Sequence, residues 1–384
     1  MNQQAPIVVI GTGLAGYHLV KELRKLSPEQ AIVMITADDG RSYSKPMLST
    51  GFSKNKSADE LAMASAADMA EQLNIVVRTN TEVTNIVPLE HKLYIGTEEV
   101  SYSKLVLALG ANVLTPPIEG DAQDRIFSIN DLQDYAKFRT VADTQKRVLI
   151  MGAGLIGCEY ANDMCAGGYE VDVVDPSGHA LPSLLPEPAG KALQDGLEEL
   201  GVRFHLGAVV NTLTRQDSGV KAELSNGTTI EADLVVSAIG LRPRVDLATL
   251  SGLKTGVGIK VNKLLETSAS DIYAIGDCAE VEGRALLFVL PLMASARALA
   301  KTLAGQPTEV SYGVMPVTVK TPAVPVVVSP PAPGSEGSWE FEGTGKDIEA
   351  KFCNQAGQLL GYALTGAKVA NKLALNKQLP AILP

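Results

Sequence analysis

Between residues 6 and 240, short aliphatic runs alternate with stretches whose apolar positions recur at helical spacing. That pattern predicts strands and helices in alternation, and hence parallel sheets. The opening reads as a strand over 6–10, a helix from Leu14 to Lys25 with apolar Leu19, Val20, Leu23 and Leu26, and a strand from Ala31 to Thr36. After a polar loop from Asp38 to Ser49 come an Ala/Met-rich helix near 58–73, a strand Ile75 to Arg78 and an antiparallel stretch around Val83 to Tyr94. A buried strand from Lys104 to Ala111 ends this unit. The plan then restarts: strand 147–151, helix 155–167, strand Glu170 to Asp175, helix 187–200, strand Arg203 to Leu206, a hairpin region 209–230 and a strand Asp233 to Gly240. One unit ends in Ala108-Leu109-Gly110 and the other in Ala238-Ile239-Gly240, which marks an internal duplication. No third unit follows. A segment Thr267 to Asp277 and a helix Pro291 to Leu303 lead into Val/Pro-rich strands over 314–328, a turn region 329–338, strands 339–364 and a terminal helix Gly366 to Asn376.

Each unit opens on the same glycine spacing. Ile7 to Ile10 run into Gly11, Gly13 and Gly16, and Val148 to Met151 into Gly152, Gly154 and Gly157. In such a turn the glycines allow a tight bend, close approach of the backbone to a pyrophosphate, and close packing of helix on strand. The N–H groups of the helix start then face the anion. One copy is weak evidence; two, each at a strand-to-helix junction, predict two dinucleotide sites. A chain holding two dinucleotides has a chemical use for them, in which a pyridine nucleotide passes a hydride to a flavin.

Composition narrows the possibilities. Hydrophobic residues make up 46% of the 384, and the net charge is −10. An acidic surface argues against general nucleic-acid or membrane-surface binding, which use basic faces. Met1 to Pro6 lack a basic region, and the apolar stretch Ala285 to Ala300 is broken by Pro291 and Arg297. Neither leader nor membrane span is expected, so a cytoplasmic location is. Cys158, Cys165, Cys278 and Cys353 form no close pair, which excludes the usual zinc and iron–sulfur spacings, and no metal site is expected. Cys158 and Cys165, seven apart on one helix, would have Cα atoms about 10 Å apart, too far for a disulfide. His18, His91, His179 and His205 are scattered without ligand spacing.

Val9-Ile10-Gly11-Thr12-Gly13-Leu14-Ala15-Gly16 matches an FAD fingerprint, and Ala274-Ile275-Gly276-Asp277 a second FAD motif. With these, Tyr43-Ser44-Lys45-Pro46-Met47-Leu48-Ser49 and Val319-Lys320-Thr321-Pro322 are most similar to the rubredoxin reductases and flavorubredoxin reductases of the pyridine-nucleotide reductase superfamily. The resemblance covers essentially the whole chain. It implies an α/β fold of two Rossmann-like domains, one for FAD over 1–110 and 242–315 and one for NAD over 111–241, with a small C-terminal α+β domain over 316–384.

For FAD the resemblance implies Gly11, Thr12, Gly13, Leu14, Ala15, Gly16, Lys45, Pro46, Val83 as a backbone contact, Ala108, Gly110, Glu159, Gly276, Asp277, Val289 and Lys320. It places Lys45, Glu159 and Lys320 beside the flavin, with no side chain acting as catalytic acid or base. Lys320 is an isolated charge in an apolar strand and needs a partner. The family keeps an acid for the adenosine ribose where this chain reads Thr36-Ala37-Asp38-Asp39; Ala37 falls at its place, and Asp38 serves only with a one-residue shift. For NAD the residues are Gly152, Gly154, Leu155, Ile156, Gly157, Asp175 and Gly240. Asp175 ends its strand 23 residues after Gly152 and suits a ribose 2′-hydroxyl, which predicts NADH over NADPH.

Disulfide reductases and thiol peroxidases keep redox cysteines in the region where this chain has none, between Ile35 and Leu61. Electrons would therefore leave from the flavin itself, singly, to a one-electron iron–sulfur acceptor such as rubredoxin. An alternative acceptor is a flavorubredoxin or a ferredoxin, and a chain of another class could use NADH only as a signal. For docking an acidic partner, Lys368, Lys372 and Lys377 lie in a segment free of acids, with Lys368 and Lys372 expected on one helix face.

Overall fold

The computed structural model describes residues 5–384. The reading of a leaderless start, Met1 to Pro6, falls mostly outside them. The duplication is visible as two five-stranded parallel sheets of equivalent order. In the first, Ile7–Ile10 is central, flanked by Ile32–Ile35 and then Val76–Arg78 on one side and by Lys104–Leu107 on the other. In the second, Arg147–Met151 is central, flanked by Glu170–Asp175 and Arg203–Leu206 and by Leu234–Ser237. The outermost strand of the first sheet is Ile272–Ala274, which returns from beyond the second unit. That of the second is Ile126–Phe127, which precedes it. Between the units, Ala111–Val113 and Leu241–Pro243 pair antiparallel, so the chain crosses out and back through one two-stranded link.

Residues on the central strands are buried on both faces, which is why they read as continuous aliphatic runs. One core joins Ile7–Ile10 to Leu292, Ala296 and Leu299 of the helix Val289–Leu303, binding both segments of the first unit together. A second core belongs to the other sheet and draws in Leu48 and Phe52 from the first unit and Val319, Val324 and Val326 from the C-terminal region. The C-terminal sheet is antiparallel, ordered Val317–Val319, Val326–Ser329, Leu359–Thr365, Asp347–Cys353 and Ser338–Thr344.

Two expected elements differ. The helix near 58–73 is two helices, Ala58–Leu61 and Ala66–Leu73, separated by a strand Ala62–Ala64 that pairs with Ser42–Tyr43. Ser57 and Ser65 each close a capping box, with Glu60 and Asp68, so each short helix has its own start. The terminal helix is a 3-10 turn Gly366–Asn371 followed by an α-helix Lys372–Asn376. Residues four apart across that change of pitch do not share a face, and Lys368 is paired with Glu342 at 3.2 Å. Lys368 and Lys372 are thus not a joint basic face. Among the described residues no helix is long and apolar enough to cross a membrane.

Candidate functional site

Both glycine turns divide their labour in the same way. Gly11 and Gly152 have φ of +109° and +105°, and a Cβ there would lie 2.2 Å from the Ala108 carbonyl oxygen and 2.6 Å from that of Ala238. A Cβ on Gly16 or Gly157 would lie 2.0 or 1.9 Å from the carbonyl oxygen of Gly11 or Gly152. These four are therefore demanded by the protein's own packing. Gly13 and Gly154 differ, since a Cβ on either meets nothing within 4 Å. Their bareness leaves room for something outside the protein. Each is also the N-cap of its helix, and among the described residues neither cap has a side-chain hydrogen bond nor an acid in the first turn. The free N–H groups suit a phosphate.

A cavity of about 910 Å³ runs from the first turn to the second helix. Gly11, Thr12, Gly13, Leu14, Ala15, Asp38, Lys45, Pro46, Val83, Ala108, Gly110, Glu159, Asp277, Val289 and Lys320 line it, as do Leu155, Ile156 and Gly240. Gly16 and Gly276 lie behind the wall; a Cβ on Gly276 would come within 2.8 Å of the Ala15 Cβ. Gly152, Gly154, Gly157 and Asp175 lie off this cavity, at the other nucleotide turn. Asp175 is buried and braces that turn, accepting from the Ala153 N–H at 2.7 Å and the Ser177 N–H at 2.8 Å.

The carboxylate of Asp38 is largely committed to the fold. Its Oδ1 accepts from the Thr12 hydroxyl at 3.1 Å, the Thr36 hydroxyl at 2.7 Å and the Gly40 N–H at 2.9 Å, tying the strand end to the glycine turn. Lys45 opens a 3-10 turn, Lys45–Thr50, and its ammonium lies 3.6 Å from Asp277 Oδ2. The partner that Lys320 needs is Glu159, which is 1% exposed. Glu159 Oε1 accepts from the Lys320 backbone N–H at 2.9 Å, while Oε2 takes the Lys320 ammonium and the Ser49 hydroxyl, the latter at 2.7 Å. Three distant parts of the chain meet at one carboxylate on the cavity wall.

Sequence reasoning assigned no role to Ser49, Asn130, Ser237 or Arg244, all of which line the cavity. Asn130 Oδ1 and Ser237 Oγ are buried with no hydrogen-bond partner among the described residues. Unpartnered polar atoms on a cavity wall are costly unless a ligand satisfies them. Arg244 donates to Asn112 Oδ1 across the two-stranded link. Ser49 lies inside the motif Tyr43 to Ser49, whereas Asn130, Ser237 and Arg244 carry no local signal. The cysteines stand apart from this chemistry. Burial pushes the Cys158 thiol up to about 12 and the Cys278 thiol up to about 11, so both are protonated near neutrality.

Two bare-glycine turns, one long cavity and unpartnered polar atoms on its wall define a two-dinucleotide oxidoreductase, and these residues fit FAD at the first turn and a pyridine nucleotide at the second. Residues 5–300 match the pyridine nucleotide-disulphide oxidoreductase family, and the chain belongs to it. Residues 309–379 match the rubredoxin binding C-terminal domain. The rubredoxin-NAD(+) reductase of Alcanivorax borkumensis is 58% identical over 99% of this chain and 100% of its own length. That of Acinetobacter baylyi is 46% identical over 99% of each chain. Among solved structures, a ferredoxin reductase from Rhodopseudomonas palustris superposes with a TM-score of 0.88 at 24% identity, covering 98% of this chain and 96% of that one, which shows a shared fold.

Proposed function

We propose that this chain is an NADH-dependent FAD reductase that delivers electrons to a rubredoxin. The observation that supports this best is the cavity that joins the first glycine turn to the start of the second helix, with Glu159, Lys320 and Lys45 on its wall. Bound FAD supplies the chemistry, taking two electrons together from NADH and releasing them one at a time.

The chain's own residues bind and orient. Gly13 leaves the backbone open to phosphate, and Asp277, at the second FAD motif, offers a carboxylate to ribityl hydroxyls. Glu159 holds the Lys320 ammonium at the cavity wall as an oriented N–H donor, its charge balanced by the carboxylate that positions it. Gly154 and Asp175 take the pyrophosphate and the adenosine ribose of NADH. The division into 1–110 with 242–315, 111–241 and 316–384 belongs to the same proposal, as does a cytoplasmic location, which suits four free cysteines.

The C-terminal domain, matched to rubredoxin binding, presents the acceptor side. Mixing the purified, FAD-loaded protein with NADH and a rubredoxin tests the whole scheme. NADH should bleach the flavin, and rubredoxin should be reduced at the expense of NADH. A flavin that NADH leaves oxidised contradicts it.

A further inference from the structure

The stretch that follows the Lys45–Thr50 turn leaves the first dinucleotide unit and is gripped by the second. Phe52 is 3% exposed, and its ring centroid lies 5.3 Å from that of Tyr135, 5.7 Å from Phe138, 6.2 Å from Tyr160 and 5.9 Å from Tyr169. The Arg139 guanidinium stacks over it at 5.2 Å. The backbone is held as firmly as the ring. The N–H of Phe52 donates to Asp163 Oδ2 at 2.7 Å, and the N–H and hydroxyl of Ser53 both donate to Oδ1. Tyr135 donates its hydroxyl to the Lys56 carbonyl at 2.7 Å. A Cβ on Gly51 would sit 2.3 Å from the Tyr135 hydroxyl oxygen, so this approach is open only to glycine.

Phe52, Ser53, Asp163 and Tyr135 lie off the cavity wall. They do, however, adjoin what is on it. Lys45 and Ser49 sit just before them in sequence, and Asp163 lies one turn beyond Glu159 on the helix Leu155–Ala166. That helix therefore holds the incoming chain with two carboxylates, Glu159 on Ser49 and Asp163 on Phe52 and Ser53. A 3-10 turn has little stability of its own, and this one is already irregular at Ser49, with ψ of 20°. Its place must be set from outside.

The geometry points to Phe52 and Asp163 as positioning residues, a clamp that fixes Ser49 against Glu159 and, through the same turn, Lys45 beside Asp277 on the cavity wall for the transfer from NADH to flavin; this rests on the reductase function proposed above. None of the clamp's hydrogen bonds or ring contacts involves Gly152–Gly157, so loosening it should change the rate of transfer rather than nucleotide affinity. A misplacement of about 1 Å at a reacting centre is enough for a change of ten- to a hundredfold.

The test uses the full-length, FAD-loaded protein with Phe52→Ala, Phe52→Leu and Asp163→Asn, read in rapid mixing with NADH and by hydrogen exchange of the peptide spanning residues 45–56. Phe52→Ala should lower the limiting rate of flavin bleaching about tenfold or more, and Asp163→Asn about three- to tenfold, with half-saturating NADH within about threefold of wild type. Phe52→Leu, which refills most of the volume, should return to within about threefold. Exchange over 45–56 should quicken in the two damaging variants. Faster exchange with an unchanged limiting rate overturns the clamp, as does unchanged exchange, or a loss seen only in half-saturating NADH. If Phe52→Ala does not fold, Asp163→Asn, nearly equal in size to the original, decides the question. A wild-type flavin that NADH fails to bleach counts against the reductase function instead, and the exchange measurement still judges the clamp.

Discussion

Glu159 and Lys320, 161 residues apart, are joined twice: the Lys320 backbone N–H reaches Glu159 Oε1 at 2.9 Å and its ammonium reaches Oε2. The buried carboxylate thus fixes the first strand of the C-terminal sheet to the cavity wall. Removing the ammonium leaves the charge of Glu159 without its counter-ion. Lys320→Met should therefore cost about 1–3 kcal/mol, less than a fully buried pair because the lysine is partly exposed. Denaturant midpoints measure it, and the double variant with Glu159→Gln should lose less than the sum of the two singles.

Asp175 bears on the choice of nucleotide. A 2′-phosphate beside its carboxylate meets a like charge, costing about 1–3 kcal/mol, or roughly ten- to a hundredfold in kcat/KM. NADH should be preferred. Because Asp175 also accepts from the Ala153 N–H, Asp175→Ala should narrow the preference and weaken NADH binding at once. A wild type that favours NADPH contradicts this assignment.

No cysteine should be needed for turnover. Cys158 and Cys278 are buried and held as thiols, and no cysteine lies between Ile35 and Leu61. Single replacements by Ala or Ser should leave NADH-driven acceptor reduction within about threefold, apart from packing losses. Iodoacetamide should label Cys165 and Cys353, the half-buried pair, ahead of the others. Loss of turnover in a folded, flavin-replete variant would point to a thiol relay.

Acid should weaken the second sheet through Asp172. Burial opposes ionisation there, but bonds from Arg203 and His205 outweigh it and hold the carboxyl below its ordinary 3.8. A carboxyl with a lower pKa in the folded state lends stability that is fully present above the unfolded value and lost as pH falls through the folded one. Below about pH 5, the melting-temperature advantage of wild type over Asp172→Asn should shrink as the solution is made more acid. An advantage that grows in acid would contradict the sign.

What the sequence shows and hides follows from the range of each constraint. The glycine turns are legible because their spacing falls within one strand–turn–helix segment, although only Gly16 answers to a contact inside it, Gly11 being forced by the Ala108 carbonyl of a distant strand and Gly13 by no contact of the protein's own. The break between Ala58–Leu61 and Ala66–Leu73 was partly written, since Ser57 with Glu60 and Ser65 with Asp68 are capping boxes, yet the strand between them exists only because Ser42–Tyr43 lies alongside. That Lys320 needed a partner could be read from its apolar neighbours; that the partner is Glu159 could not, because the contact spans two domains. Asn130 and Ser237 were invisible for another reason: their significance is an unmet hydrogen bond, which exists only once the cavity does. The expected lysine face failed because the pitch changes between Lys368 and Lys372.

The most direct test of the central claim is a single stopped-flow experiment with the FAD-loaded protein, NADH and rubredoxin in one drive and a ferredoxin in its place in another. The account predicts that NADH bleaches the flavin and that rubredoxin is then reduced faster than ferredoxin, two rubredoxins for each NADH consumed. Bleaching followed by faster ferredoxin reduction would contradict the assignment of the acceptor, and no bleaching at all would contradict the account itself.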